Sequence, residues 1–96
     1  MPAYVIADVA VSDPAKYEGY KALSPGAAAK YGGRFLARGG QNAVLEGDWK
    51  PARMVVLEFP SLEQAQAFYT SVEYTAARRA RAGATSRFNM VVVEGV

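Results

Sequence analysis

Two stretches, AYVIADVAV at Ala3–Val11 and RMVVLEF at Arg53–Phe59, alternate with a period of two and constrain the fold most. In the first, Val5, Ala7, Val9 and Val11 share one parity, against Tyr4, Ile6 and Asp8 on the other. In the second, Val55, Leu57 and Phe59 share a parity, against Met54, Val56 and Glu58. Successive side chains of a strand point to opposite faces, so each stretch reads as a strand with one apolar and one mixed face. A sheet built on two such strands needs helices on its apolar side, and the rest of the chain supplies them.

After the first strand, Ser12 or Asp13 can cap a helix that has Pro14 in its first turn. Tyr17, Tyr20, Ser24, Ala27, Ala28 and Tyr31 recur at helical spacing and predict an amphipathic helix over Pro14–Tyr31. Ser24-Pro25-Gly26 is expected to break or kink it, because proline removes a helical hydrogen bond. Gly32-Gly33 then ends the helix with a left-handed cap. In YGGRFLARGG a second strand runs over Arg34–Arg38, with Arg34, Leu36 and Arg38 on one parity. Gly39-Gly40 permits a bulge before the strand resumes at Ala43–Glu46, and Gly47–Pro51 reads as a hairpin loop.

Pro60 stops the third strand, and Ser61 with Gln64 forms a capping box. The helix so opened has Leu62, Ala65, Phe68, Tyr69 and Val72 on its buried side, with a second helical piece over Val72–Ala82 ending at Gly83. Phe88–Glu94 is the last strand. The order βαββαβ is the ferredoxin-like plan, an α+β domain filling residues 1–96. Its four-stranded antiparallel sheet has both helical segments on one face and the first and third strands in the middle. The other face carries Ile6, Leu36, Met54 and Val56, too contiguous an apolar patch to leave in water. A second copy is the simplest cover, so a homodimer with a cleft between two sheets is expected.

Composition narrows the chemistry. The 96 residues include no cysteine and no histidine, which removes disulfides, thiol nucleophiles, Ser-His triads and ordinary zinc sites. No metal or cofactor is expected. A net charge of +2 without a basic stripe gives no reason to expect nucleic acid. The apolar runs are strand-length, so no membrane span is expected, and the N-terminus lacks signal-peptide features, which makes the cytoplasm the expected location.

On the mixed face the ionisable groups are Asp8, Glu58, Arg34 and Arg38. They are either ion pairs tying a dimer together or the makings of a polar pocket. In the pocket reading Arg38 clamps an anion or carbonyl group of a small metabolite, and Asp8 or Glu58 serves as base. Tyr4 points into the same cleft. Tyr17, Tyr20, Tyr31 and Tyr69 fall on helix faces expected to be buried, and Trp49 sits in a loop as a lid or contact. Arg78-Arg79-Ala80-Arg81 ends a helix and reads as a solvated face. Pro2 would offer a secondary amine to a tautomerase if Met1 were removed, the least favoured of the readings. A non-catalytic binding or stress-related protein uses the same residues without turnover.

With YGGRFLARGG, LEGDWKPAR, LEFPS and AFYTSVEY in this order, the chain resembles domain-of-unknown-function family 1330, from about Tyr4 to Gly95. The resemblance implies a ferredoxin-like chain that dimerises as an α/β barrel. The wider superfamily includes cofactor-free monooxygenases, lactone isomerases and haem-dependent peroxidases. The absence of histidine argues against the haem branch. The motif positions of the family fall here on Asp8, Tyr20, Tyr31, Arg38, Glu46, Arg53, Tyr69 and Tyr74, and the ligand-binding candidates are Arg38, Tyr4, Tyr20, Tyr31, Glu46 and Tyr69. Where the family often has tryptophan, this chain has Tyr69, and Pro2 is outside the family pattern. No activity comes with the resemblance, although cofactor-free proton transfer or oxygenation would suit these residues.

Overall fold

The computed structural model describes residues 1–96. The elements are β1 (Ala3–Val11), α1 (Pro14–Lys30), β2 (Arg34–Arg38), β3 (Arg53–Phe59), α2 (Leu62–Thr70), α3 (Val72–Ala80) and β4 (Thr85–Glu94). All three ladders are antiparallel, in the order β2-β3-β1-β4, so the two strands with strict alternation occupy the middle. This is the ferredoxin-like fold that the periodicity predicts. No helix is long and apolar enough to cross a membrane.

The odd positions of β1 and β3 form the floor on which the helices pack. Val5, Ala7, Val9, Val55, Leu57 and Phe59 are buried there, beneath Tyr17, Tyr20, Phe68 and Tyr74 from the helices. The aromatic rings interlock, with Phe68 4.3 Å from Tyr74 and 5.0 Å from Phe59 between centroids. Gly33 is needed here for close approach: a Cβ on it would stand 2.5 Å from the Phe59 ring.

Capping follows the sequence closely. Asp13 accepts from the Lys16 amide, Ser61 from Gln64, and Ser71 from Tyr74. The Gln64 side chain does not close the capping box but donates to the Tyr31 carbonyl at 3.1 Å, tying α2 to the end of α1.

Four expectations are corrected. First, α1 is one helix through Pro25. The Lys21 carbonyl, which Pro25 leaves without a helical donor, accepts instead from Arg38 Nη2 at 3.1 Å. Second, Ala43–Glu46 is not a strand; β2 ends at Arg38 and residues 39–52 form an irregular loop. Third, the helix divides at Ser71 into α2 and α3, as the two-piece reading has it, but Tyr69 and Val72 are not on its buried side. Tyr69 is 41% exposed at the end of α2, and Val72, just beyond the break, is 82% exposed.

The fourth correction concerns β2. Arg34 pairs with Glu58 and Phe35 with Leu57, but then Ala37 pairs with Val56 and Arg38 with Val55, leaving Leu36 as a bulge. One inserted residue inverts the parity beyond it. Arg34 therefore stands on the open sheet face, whereas Arg38 stands on the helix side.

The open face has a regular cross-strand order. Ala37, Val56, Ile6 and Val91 form one row across all four strands. Arg34, Glu58, Tyr4 and Val93 form the next row on one side, and Met54, Asp8 and Asn89 on the other. An apolar band is thus flanked by charged and polar groups.

A candidate ligand cleft beside the edge strand

The helix layer is incomplete over β4, an edge strand. Phe88, Met90 and Val92 pair with Val9, Ala7 and Val5 and share their helix-facing side. The nearest wall is α2, where Ala65 is small and the chain turns off at Ser71. A cleft of about 590 Å³ results, floored by Phe88, Met90 and Val92 and walled by Phe68 and Tyr69. That volume lies within the range of small-molecule sites.

Arg81 provides the cleft's cation. Its guanidinium lies 3.5 Å from the Phe88 ring centroid and 5.2 Å from that of Tyr20. Stacking on aromatic faces holds the group in place without neutralising it. Its Nε is buried without a hydrogen-bond partner, and no carboxylate pairs with the side chain. The solvated-face reading of Arg78, Arg79 and Arg81 is therefore corrected for Arg81. Arg79 is exposed and Arg78 stacks over Tyr69 at 4.7 Å, but Arg81 turns inward. Helical spacing carried the signal, because Arg81 follows the buried Tyr74 and Ala77 on one face of the helix.

Behind Arg81, the Tyr20 and Tyr74 hydroxyls meet at 2.6 Å. Burial pushes both phenols above their ordinary range, most strongly Tyr20, so the pair is neutral and satisfies itself. Tyr20 is thus a wall of the core behind the cleft, and Tyr69 lines the cleft itself.

On the α1 side of the core, Arg38 and Arg53 border a small gap with Tyr17, Lys21, Ser24 and Phe35. Its free space of about 20 Å³ suits a water molecule, not a metabolite. Arg38 stacks 4.6 Å over Phe35, and Arg53 packs against Gly39, whose φ of 74° and lack of a side chain admit the guanidinium.

The remaining candidates lie elsewhere. Asp8, 6% exposed, accepts from Arg87 Nη2 and from the Trp49 indole, each at 3.0 Å. The Arg87 bond, then the Trp49 bond, holds its carboxyl below the ordinary aspartate value. Trp49 thereby pins the irregular loop to the open sheet face, a contact that residue spacing gives no means to find. Glu58 is bound by Arg34 at 2.6 Å. Neither carboxylate meets Arg38, which stands on the opposite side of the sheet.

Tyr4 is half-buried on the open face, beside Gly95. Tyr31 caps α1, and Glu46 is exposed in the loop. Pro2 borders a shallow depression of about 350 Å³ with Arg34 and Glu58, and its carbonyl accepts from the Gly95 amide at 2.7 Å. Of the sequence-derived candidates, only Tyr69 lines the cleft by β4. There are no clusters of three or more acidic side chains suited to a metal ion.

Among solved structures, the chain is similar to a protein of unknown function from Rhodopseudomonas palustris, with a TM-score of 0.76 and 18% identity over 99% of this chain and 82% of that one. A dimeric protein of unknown function and ferredoxin-like fold from Bacteroides fragilis gives a TM-score of 0.66 at 18% identity, over 98% and 96% of the two chains. SnoaB, a cofactor-independent oxygenase from Streptomyces nogalater, gives 0.64 at 11% identity, over 99% and 93%. At such identities the likeness is one of fold. No curated protein matches the chain. The family described as a domain of unknown function, DUF1330, matches residues 2–96, and the chain belongs to that family.

Proposed function

We propose that the protein is a homodimer that binds a small anionic or carbonyl-bearing metabolite, one molecule in the cleft beside β4 of each subunit. The observation that carries this reading is Arg81, an unpaired guanidinium stacked between aromatic rings at the end of a mainly apolar, ligand-sized cleft. Guanidinium groups hold carboxylates by two parallel hydrogen bonds, and a site out of bulk water strengthens each of them. A site between two sheets is less well supplied: Asp8 and Glu58 are each engaged by an arginine of their own chain, and Arg38 stands on the far side.

The second copy is proposed on the open sheet face. The apolar row Ala37–Val56–Ile6–Val91 needs cover, and the Bacteroides fragilis protein of the same fold is described as dimeric.

Binding without turnover is the reading that the cleft residues favour. No carboxylate or histidine lines the cleft, which leaves the Tyr69 phenol as its one titratable group besides Arg81. Cofactor-free oxygenation takes its support from the fold shared with SnoaB, and it would fall to a substrate that ionises readily and places its oxyanion on Arg81. Titrating labelled protein with benzoate, pyruvate and acetoacetate tests the reading by nuclear magnetic resonance. Shifts centred on Arg81, Phe88 and Met90 support it, and shifts confined to the open sheet face would remove it.

A second reading, a tautomerase based on the Pro2 amine, draws on Pro2 standing beside Arg34 and Glu58. It requires removal of Met1, and an intact mass that retains Met1 would dispose of it.

A further inference from the structure

We infer that the ligand of the β4 cleft is an amphipathic monocarboxylate, a medium-length alkyl or arylalkyl acid lying along β4 with its carboxylate on Arg81. This rests on the proposed assignment of the cleft as the binding site and names the class of molecule it takes. The cleft is polarised along its length. At one end, Phe88 carries the Arg81 guanidinium on its ring. Toward the other end the floor is Met90 and then Val92, with Val5 alongside, and carries no charge.

Phe88 to Val92 is four strand steps, about 13 Å, which an extended chain of about ten carbons spans. Val92 is 36% exposed although it shares the helix-facing side with the buried Val5, so apolar surface lies open where a tail would rest. The charge complement is equally specific. Arg81 is the only charged residue in the lining, so a single negative charge is matched and a second would be left unpaired. Gln66 and Thr70 of α2 add uncharged polar groups at the rim. A short dianion would leave the Met90–Val92 floor wet. A neutral lipid would leave the Arg81 guanidinium without a counter-charge.

Calorimetric titration of the full chain with butyrate, hexanoate, octanoate and decanoate, all below micelle formation, tests the inference. Affinity is expected to rise roughly tenfold for each two methylene groups added. Decanoate should also bind at least about tenfold more tightly than decanol, and Arg81→Gln should erase that difference. Val92→Trp, which fills the far end, should weaken decanoate and spare butyrate, so the inference stays testable if Arg81→Gln fails to fold. Equal affinity across the chain-length series, with resonances of Arg81 still shifted, would overturn the amphipathic ligand and leave the anion site standing. If no carboxylate shifts Arg81 or Met90, both the inference and the site assignment fall.

Discussion

Arg38 Nη2 donates at 3.1 Å to the main-chain carbonyl of Lys21, four residues before Pro25. The guanidinium of β2 thereby takes the place of the amide hydrogen that proline lacks, and α1 crosses Pro25 without ending. Arg38→Met should lower stability by about 1 kcal/mol, the scale of one partly solvated hydrogen bond. In a Pro25→Ala background the loss should shrink, because the new amide can bond Lys21 itself. Urea denaturation of the four proteins of this cycle is the measurement, and an equal loss in both backgrounds would refute the compensation.

Asp8 should make the protein sensitive to acid. Its carboxyl is held below the ordinary value of 3.8, first by the Arg87 hydrogen bond and then by that of Trp49. A depressed carboxylate contributes stability that is fully present above the unfolded value and is lost as pH falls through the folded one. Asp8→Asn should therefore be less stable than the parent at pH 7, with the deficit shrinking as pH falls below the ordinary aspartate value and through the lowered folded one. Trp49 is the only tryptophan, so its emission reports the same event directly. A deficit that persists unchanged through that range would contradict the role of the ionised carboxylate.

The Tyr20–Tyr74 hydroxyl pair is buried and self-satisfied. Tyr20→Phe and Tyr74→Phe should each cost about 1–2 kcal/mol by orphaning the partner, and the double change less than the sum. Thermal denaturation gives all three values. Because burial raises both phenols, alkaline absorbance titration should show them ionising only as the fold is lost.

Gly33→Ala places a Cβ against the fully buried Phe59 ring. Overpacking of this kind should destabilise by about 1–3 kcal/mol. A melting temperature equal to that of the parent would mean that the ring has room to move.

A charge at the centre of the open face tests the dimer. Ile6 lies between Val56 and Val91, and Ile6→Lys should convert a sedimenting dimer to monomer while leaving the helix-side core intact. Sedimentation velocity decides it, since a parent protein that is already monomeric would undo the argument for the second copy.

The alternation in Ala3–Val11 and Arg53–Phe59 was enough to determine the ferredoxin-like order, the central strand pair and the sheet side on which the helices pack. These follow from local periodicity, because a strand must segregate its side chains by parity wherever it lies. The caps at Asp13, Ser61 and Ser71 are equally local. The candidate site was legible only through Tyr69. What it lacked depends on long-range geometry: the bulge at Leu36 that carries Arg38 to the helix side, and the loop that brings Trp49 to Asp8 across 41 residues. The uncovered floor of β4 beyond α2 has the same origin. Arg81 is the intermediate case, since helical spacing points it inward and only the assembled tertiary structure decides that no carboxylate meets it there. One inserted residue or one uncovered edge changes which groups share a face, and that is settled by how distant segments pack.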